Sequence, residues 1–451
     1  MADRRHANMF SGSPLNRLSW LRPSHPFLNA IIVSPATRWL VFNAGQPLVK
    51  TTSGLPVKQS LALLTTNDVR PFLGPEPYFG QGKEEGELVT ESAEVEHSPT
   101  EAARHRGPPV VFLGLQEHSK LSALPSSEFV NPEAAIAHID GTPYFSLDIA
   151  DLELSAAGVK GILDATSLAQ QGETLSWSEP RVLMTGLDSF SGAVFAEARS
   201  LVDWNSRNKY CAGCGSRAYS MWGGWKLSCS SLLPWVDKTG PKPCPTSKGL
   251  HNFTHPRTDP VVIMIAIDET GDKVLLGRGK KFPGKFYSAL AGFVEPGETF
   301  EDAVAREMWE EAGVTVWDIR YHSGQPWPYP ANLMVGFYAR ADSAQKIRLD
   351  LDTELVDARW FTRDEIRAVL GHPIGAKFGS AEYQKMAEST EGRNTQQGVT
   401  PHLNPVYEDK RPADAKPDDP PFRLPPVTAI AGVLIRDWVE GKIGFSSQGS
   451  A

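Results

Sequence analysis

Residues 292–314 read GFVEPGETFEDAVAREMWEEAGV, and this stretch sets a loop, a helix and a group of carboxylates at fixed spacings. Thr299 is a natural N-cap with Asp302 three residues later, and Gly313 supplies a left-handed stop, so the spacing predicts one helix over 300–312. On that helix Glu307, Glu310 and Glu311 fall at offsets of three and four and share a face. Acids clustered in this way repel one another by roughly a few tenths of a kcal/mol per exposed pair, a cost that a divalent cation reverses. Glu298 stands in the loop before the helix. Arg306, two turns on, is placed to tie Glu298 or a neighbouring acid into a fixed orientation. The plainer reading, a solvated acidic helix face, fits most sequences that contain Glu-Glu.

The full spacing narrows the choice. Gly292 is followed after five residues by Glu298, after seven more by Arg306-Glu307, then apolar Met308, one residue, Glu310-Glu311, one residue, Gly313 and apolar Val314. Every constrained position of the Nudix signature is matched, so the chain resembles a Nudix hydrolase. The resemblance implies an α-β-α (α+β) Nudix fold, bound Mg2+ or Mn2+, and hydrolysis of a nucleoside diphosphate linked to another group. It also implies that the carbonyl of Ala291, with Glu307, Glu311 and Glu354 (the last in TELVDARWF, 353–361), holds the metal. Glu310, or a neighbouring carboxylate of the signature, would then activate the attacking water.

Downstream, SGQPWPYPANLMVGF (323–337) alternates prolines with Trp327 and Tyr329, a stiff extended segment with few backbone donors. In isolation it reads equally as a Pro-rich ligand or an edge strand. Placed after the helix, it resembles the Ser-Gln-Pro-Trp-Pro-Phe-Pro-x-Ser motif of the NADH pyrophosphatase branch. Gln325, Pro326, Trp327, Pro328 and Pro330 match; Gly324 replaces the first serine, Tyr329 the phenylalanine and Asn332 the last serine. That resemblance implies that Trp327 and Tyr329 shape the pocket or stack on the dinucleotide, and that Gln325 hydrogen-bonds to it. By the same resemblance Ala431, in VTAIAGVLIRDW, and His255, where the branch carries a tyrosine, are substrate contacts. The implied reaction is cleavage of NADH, or NAD+, to NMNH or NMN and AMP. Removal of an NAD cap from RNA is the same bond cleavage on a longer substrate. ADP-ribose and diadenosine polyphosphates are further substrates that share the signature, and a Nudix-fold binding protein is the non-enzymatic alternative.

The four cysteines, Cys211, Cys214, Cys229 and Cys244, fall in a window of 34 residues. Cys-Ala-Gly-Cys followed by Gly215 is a metal knuckle, and Cys229 follows at zinc-ribbon spacing. Cys244 comes after fourteen further residues, so the second knuckle is opened by an insertion that must return it to the site. The expected ion is a structural Zn2+ with no open coordination position. A redox pair or buried free thiols explain the clustering less well.

Composition agrees. A formal charge of −8 argues against a dedicated nucleic-acid binder. No apolar run reaches the ~18 residues of a membrane span, and MADRRHANMF lacks a secretory core, which points to a cytoplasmic protein. The ending Gly449-Ser450-Ala451 is not a peroxisomal Ser-Lys-Leu type. The expected organisation is a loose N-terminus (1–27), a Nudix-like N-terminal domain (28–201) with a disordered insertion (80–107), a zinc ribbon (202–254), a catalytic domain (255–442) with a mobile insertion at about 371–426, and a tail (443–451). The branch commonly forms homodimers, and a homodimer is expected here.

Overall fold

The run VVIMIAI has no polar residue to turn toward water, so it demands cover on both faces. It lies in strand β10 (Asp259–Ile267), at the centre of a six-stranded sheet. The computed structural model describes residues 8–52, 58–89, 98–118, 136–137, 139–184, 186–237, 244–247, 254–280, 282, 284–351, 354–384 and 419–443. It divides into two compact units. One comprises Met1–Ser11, Asp259–Trp327 and Asn332–Ala451; the other comprises Gly12–Thr258 and Pro328–Ala331.

The second of these units holds β1 (Arg38–Asn43), β2 (Gln46–Thr52), β3 (Lys58–Leu61), β4 (Leu63–Leu64), β5 (Val110–Glu117), β6 (Gly141–Asp148) and β7 (Thr174–Trp177). They form one sheet in the order β3-β2-β1-β6-β5, with β4 on β1 and β7 on β2, and β1 and β6 run parallel. Helices α1 (His25–Ile32) and α2 (Thr66–Leu73) cover one face, packing Phe27, Ile32 and Phe72 against Trp39, Phe112 and Phe145. The chain continues through α3 (Ala156–Asp164), α4 (Ser167–Gln170) and α5 (Pro180–Leu183). Helix α6 (Ser189–Arg207) then lies on the sheet, with Phe195 stacked on Phe42 at 6.3 Å. A hairpin of β8 (Ala218–Met221) and β9 (Lys226–Cys229) follows.

The other unit repeats this plan. Strands β10, β11 (Lys273–Gly279), β12 (Leu290–Phe293), β13 (Val316–Trp327), β14 (Asn332–Ala341) and β15 (Leu355–Thr362) run β13-β14-β10-β11-β15, with β12 on β10. β10 pairs parallel with β14 and antiparallel with β11, from which the turn at DETGD returns. Alternation along β10 sends Val262, Met264 and Ala266 to α7 (Phe300–Ala312), and Ile263, Ile265 and Ile267 to α8 (Arg363–Gly371) and α9 (Ile430–Val439). The result is the expected α-β-α sandwich. No helix among the described residues is long and apolar enough to cross a membrane.

Three expectations need correction. Residues 8–27 are not loose: Phe10, Leu15, Leu18 and Leu21 are buried. The polar insertion at 80–107 is not a structureless loop where it is described, because Ala102, Ala103 and Arg104 are buried and Arg104 pairs with Ser220 of β8. Its guanidinium donates to the carbonyls of Leu73, Tyr78 and Pro108. At the ends of the segment 371–426, Tyr383, Phe422 and Leu424 are buried, and Arg423 pairs with Phe286. Residues 90–97, 385–418 and 444–451, the remainder of those insertions and of the tail, lie outside the described residues.

Candidate active site

Helix α7 is built as its sequence requires. Thr299 accepts from the Asp302 amide at 3.2 Å while the Asp302 carboxylate accepts from the Thr299 amide at 3.1 Å, a reciprocal cap. Gly313 ends the helix at φ 66°. Ala303, Val304, Met308 and Ala312 are its core stripe, which leaves the glutamates on the face toward β12. A β-carbon added to Gly292 would lie 1.8 Å from Glu307 Cδ, so the first glycine of the signature is there to let the Glu307 side chain pass against the strand.

Arg306 is the hub. It donates to Glu298 Oε1 (2.6 Å) and Oε2 (2.9 Å), to Glu307 Oε1 (2.7 Å), to Glu310 Oε2 (3.0 Å) and to the Phe293 carbonyl (2.8 Å). The Arg306 hydrogen bonds, joined by the Glu295 amide, hold the Glu298 carboxyl down to about 2. Glu307 moves the other way: burial raises it, Arg306 opposes, and the charges of Glu310 and Glu354 push it further up. A half-buried carboxylate among other carboxylates is a site that a divalent cation relieves. Glu311 is buried and accepts from the Ala291 amide at 3.3 Å. Glu354 is exposed at the start of β15, and its carbonyl accepts from Lys280.

The four cysteines converge. Their Sγ atoms all lie within 4.8 Å of one another, with Cys211 to Cys244 at 3.6 Å and Cys214 to Cys229 at 3.3 Å. Four sulfurs at ~2.3 Å around one tetrahedral ion would be about 3.8 Å apart, so the set fits Zn2+. Cys244 therefore returns to the knuckle despite its distant place in the sequence. Hydrogen bonds from Ser216 hold the Cys214 thiol down to about 6, while burial pushes Cys229 up to about 12. Among the described residues this is the group that closes so tightly; of the carboxylates on α7, Glu307 and Glu310 share the Arg306 guanidinium while Glu311 turns to the Ala291 amide.

Several expected substrate contacts are engaged within the protein. Gln325 is fully buried and engaged with the protein: Nε2 donates to the carbonyls of Met9 (3.1 Å) and Thr428 (2.9 Å), and Oε1 accepts from the Ile430 amide (2.8 Å). It is a clamp rather than a free hydrogen-bonding group. Tyr329 is buried in the unit that contains Pro180, to whose carbonyl its hydroxyl donates at 3.2 Å, and the Arg181 guanidinium covers its ring at 4.4 Å. That face is not open for stacking. Ala431 is buried in the first turn of α9. His255 packs on Trp222 at 6.0 Å, and burial and the Lys226 charge lower its pKa. Pro326 and Trp327 close β13 opposite Leu333 and Asn332. Trp327 meets the edge of Phe10 at 6.3 Å.

Sequence reasoning passed over Phe293. It is 57% exposed, and the period of two along β12 puts it on the face of Ala291, with its carbonyl held by Arg306. An aromatic one residue after the first glycine of the signature was the available signal. The Asn8 to Phe10 arm was also missed, because nothing local to it announces a partner.

Two family models match: the NUDIX domain over residues 257–380 and the NADH pyrophosphatase-like rudimentary NUDIX domain over residues 36–204. The chain is 33% identical over 361 residues to the NAD-capped RNA hydrolase of Schizosaccharomyces pombe, an alignment that covers 80% of this chain and 84% of that one. The chain belongs to the Nudix hydrolases, in their NADH pyrophosphatase branch. Within that branch it is also 44% identical over 369 residues to the human NAD-capped RNA hydrolase, covering 80% and 68%. The Saccharomyces cerevisiae NAD-capped RNA hydrolase is 30% identical over 375 residues, covering 81% and 88%. The Nudix signature in this chain is the loop and α7 described above. The unit with β1 to β7 contains the rudimentary Nudix domain, which explains why the two units share a plan.

Proposed function

We propose that this Nudix hydrolase cleaves the pyrophosphate of NADH and NAD+ to NMNH or NMN and AMP, and removes the same dinucleotide cap from RNA. The observation that carries the reading is the close approach of Glu307 to Gly292 with Arg306 gathering Glu298, Glu307 and Glu310, a carboxylate set fixed before any substrate arrives. The cap-removal reading is favoured by the names of the fungal and human relatives.

Glu307, Glu311, Glu354 and the Ala291 carbonyl would hold Mg2+ or Mn2+, which supplies charge neutralisation at the pyrophosphate and a water of lowered pKa. Glu310 is the candidate base, since its side chain is 45% exposed while Arg306 fixes one oxygen. It takes a proton from the attacking water; a new P–O bond forms, the bridging P–O bond breaks, and the two nucleotides separate. Glu298 and Arg306 keep the acids in register. Phe293 and Trp327 are the aromatic faces offered to the base and nicotinamide rings. Zn2+ on Cys211, Cys214, Cys229 and Cys244 serves folding alone. The active protein is a cytoplasmic homodimer, a state that light scattering tests.

The deciding experiment is product analysis from NADH, NAD+, ADP-ribose and NAD-capped RNA with Mg2+ or Mn2+, in wild type, Glu310→Gln and Glu311→Gln. Formation of NMNH and AMP from NADH, lost in both variants, supports the reading. No turnover of any substrate by folded, zinc-loaded wild type refutes it.

A further inference from the structure

Strand β13 lies at the edge of its sheet, paired with β14 on one side only, and its register breaks between Trp317 and Arg320 and again between Tyr321 and Ser323. Ser323 to Trp327 pair with β14 without a break beyond those irregularities, but an edge strand has a ladder on one side only. Yet this strand carries Trp327. Its second support comes from the other end of the chain, within the same unit. Asn8 is buried, and its Nδ2 donates to Ser323 Oγ at 3.0 Å and to the Gly324 carbonyl at 2.9 Å. The Met9 carbonyl accepts from Gln325 Nε2 at 3.1 Å. Phe10 is 2% exposed and meets Trp327 edge to face, at an interplanar angle of 74°.

The arm is itself held in shape. Phe10 sits at φ 72°, a left-handed conformation unfavourable for a side chain of its size, and the Ser11 amide and hydroxyl both donate to the Asn8 carbonyl to close the turn. The support extends inward as well. Ser323 Oγ lies 2.7 Å from His322 Nδ1, and His322 Nε2 lies 3.1 Å from Asp437 on α9. Asn8 thus joins a polar chain that runs from the arm through the edge strand to the last helix, parallel to the Gln325 clamp.

We propose that the Asn8-Met9-Phe10 arm is a positioning element of the dinucleotide site: Asn8 and Phe10 set the place of Trp327 and thereby the affinity for the dinucleotide. The inference rests on the reading that Trp327 faces the dinucleotide. Neither arm residue touches the reacting atoms, so the effect belongs to binding and not to the chemical step.

The test is steady-state hydrolysis of NADH by wild type, Phe10→Ala, Asn8→Ala, Trp327→Ala and the Phe10→Ala/Trp327→Ala double variant. Calorimetric binding of NADH to the zinc-loaded protein with Mg2+ and Mn2+ left out, and a thermal melt, accompany each. The expected result is a KM and a dissociation constant raised roughly three- to tenfold in Phe10→Ala, with kcat within about twofold of wild type. The double variant should bind no worse than Trp327→Ala alone, because Phe10 acts through that ring. Phe10→Tyr should bind within about twofold of wild type, as it restores an aromatic edge. Unchanged binding in both arm variants overturns the proposal. So do Phe10 and Trp327 effects that simply add. If Phe10→Ala melts below the assay temperature, Asn8→Ala, which deletes two hydrogen bonds and no ring, decides alone. If wild type binds NADH without hydrolysing it, the activity reading fails while calorimetry still judges the arm. If wild type neither binds nor cleaves NADH, both fall.

Discussion

A methyl group on Gly292 would overlap Glu307, so the strand or the carboxylate would have to move by more than an ångström. Displacement of this size at a catalytic group costs on the order of a hundredfold in rate. Gly292→Ala is accordingly expected to fold, to keep its melting temperature within a few degrees, and to lose about 10²-fold in kcat/KM on NADH. Glu298 gives a second prediction at this scale. Its folded carboxyl is held to about 2 against an ordinary 4.5, so the folded chain binds fewer protons than the unfolded one between those values. The stability it contributes is complete above about 4.5 and is lost as pH falls through about 2. Urea midpoints of wild type and Glu298→Gln should therefore differ at neutral pH, and the gap should close as the pH is lowered through that window. Residues of this kind were legible beforehand because their relations are local, Glu298 to Arg306 at an offset of eight and Gly292 to Glu307 at fifteen. Gln325 was not. An amide in a sequence declares that it will make hydrogen bonds but not with whom, and its partners stand 316, 103 and 105 residues away.

Among the elements, the hairpin of β8 and β9 has little apolar core to hold it. Its buried neighbours are Ala103, Tyr219, Met221 and Leu233, and the cysteines close its end. Loss of one ligand should release the ion and with it the hairpin. Elemental analysis should find about one zinc per chain in wild type and none in Cys244→Ser, with protease cuts appearing between β9 and β10. The segment after Trp327 makes an opposite prediction. The Tyr329 hydroxyl is satisfied by the Pro180 carbonyl and its ring is covered by Arg181, so Tyr329→Phe should cost about 1 kcal/mol of stability and leave the KM for NADH unchanged. A raised KM would assign Tyr329 to the substrate. The proline-aromatic pattern made the extended strand readable, whereas the covering of Tyr329 depended on Arg181, almost 150 residues upstream. The same limit hid the ordered ends of the insertions. Ala102, Ala103, Phe422 and Leu424 are short apolar islands in polar surroundings, and composition averaged over such a segment erases them.

For the molecule as a whole, a net charge of −8 on 451 residues leaves little capacity to neutralise a phosphate backbone. Recognition of capped RNA is therefore expected to rest on the dinucleotide. The affinity for NAD-capped RNA should vary with salt on a log–log slope no steeper than about −2, measured by filter binding of the Glu310→Gln variant. A steeper slope would reveal a basic track that net charge conceals. The Gln325 clamp carries a last consequence, for synthesis on the ribosome. Met9 emerges 316 residues before Gln325, whereas Ile430 emerges 105 after it. Translation delivers residues at about 5–20 per second, so Met9 waits tens of seconds for its partner, and the clamp closes only when α9 is free of the exit tunnel. A message broken or stalled before that helix yields a chain with every glutamate of the signature in place and an unclamped edge strand, and such a product is expected to hold the dinucleotide less well than the full chain.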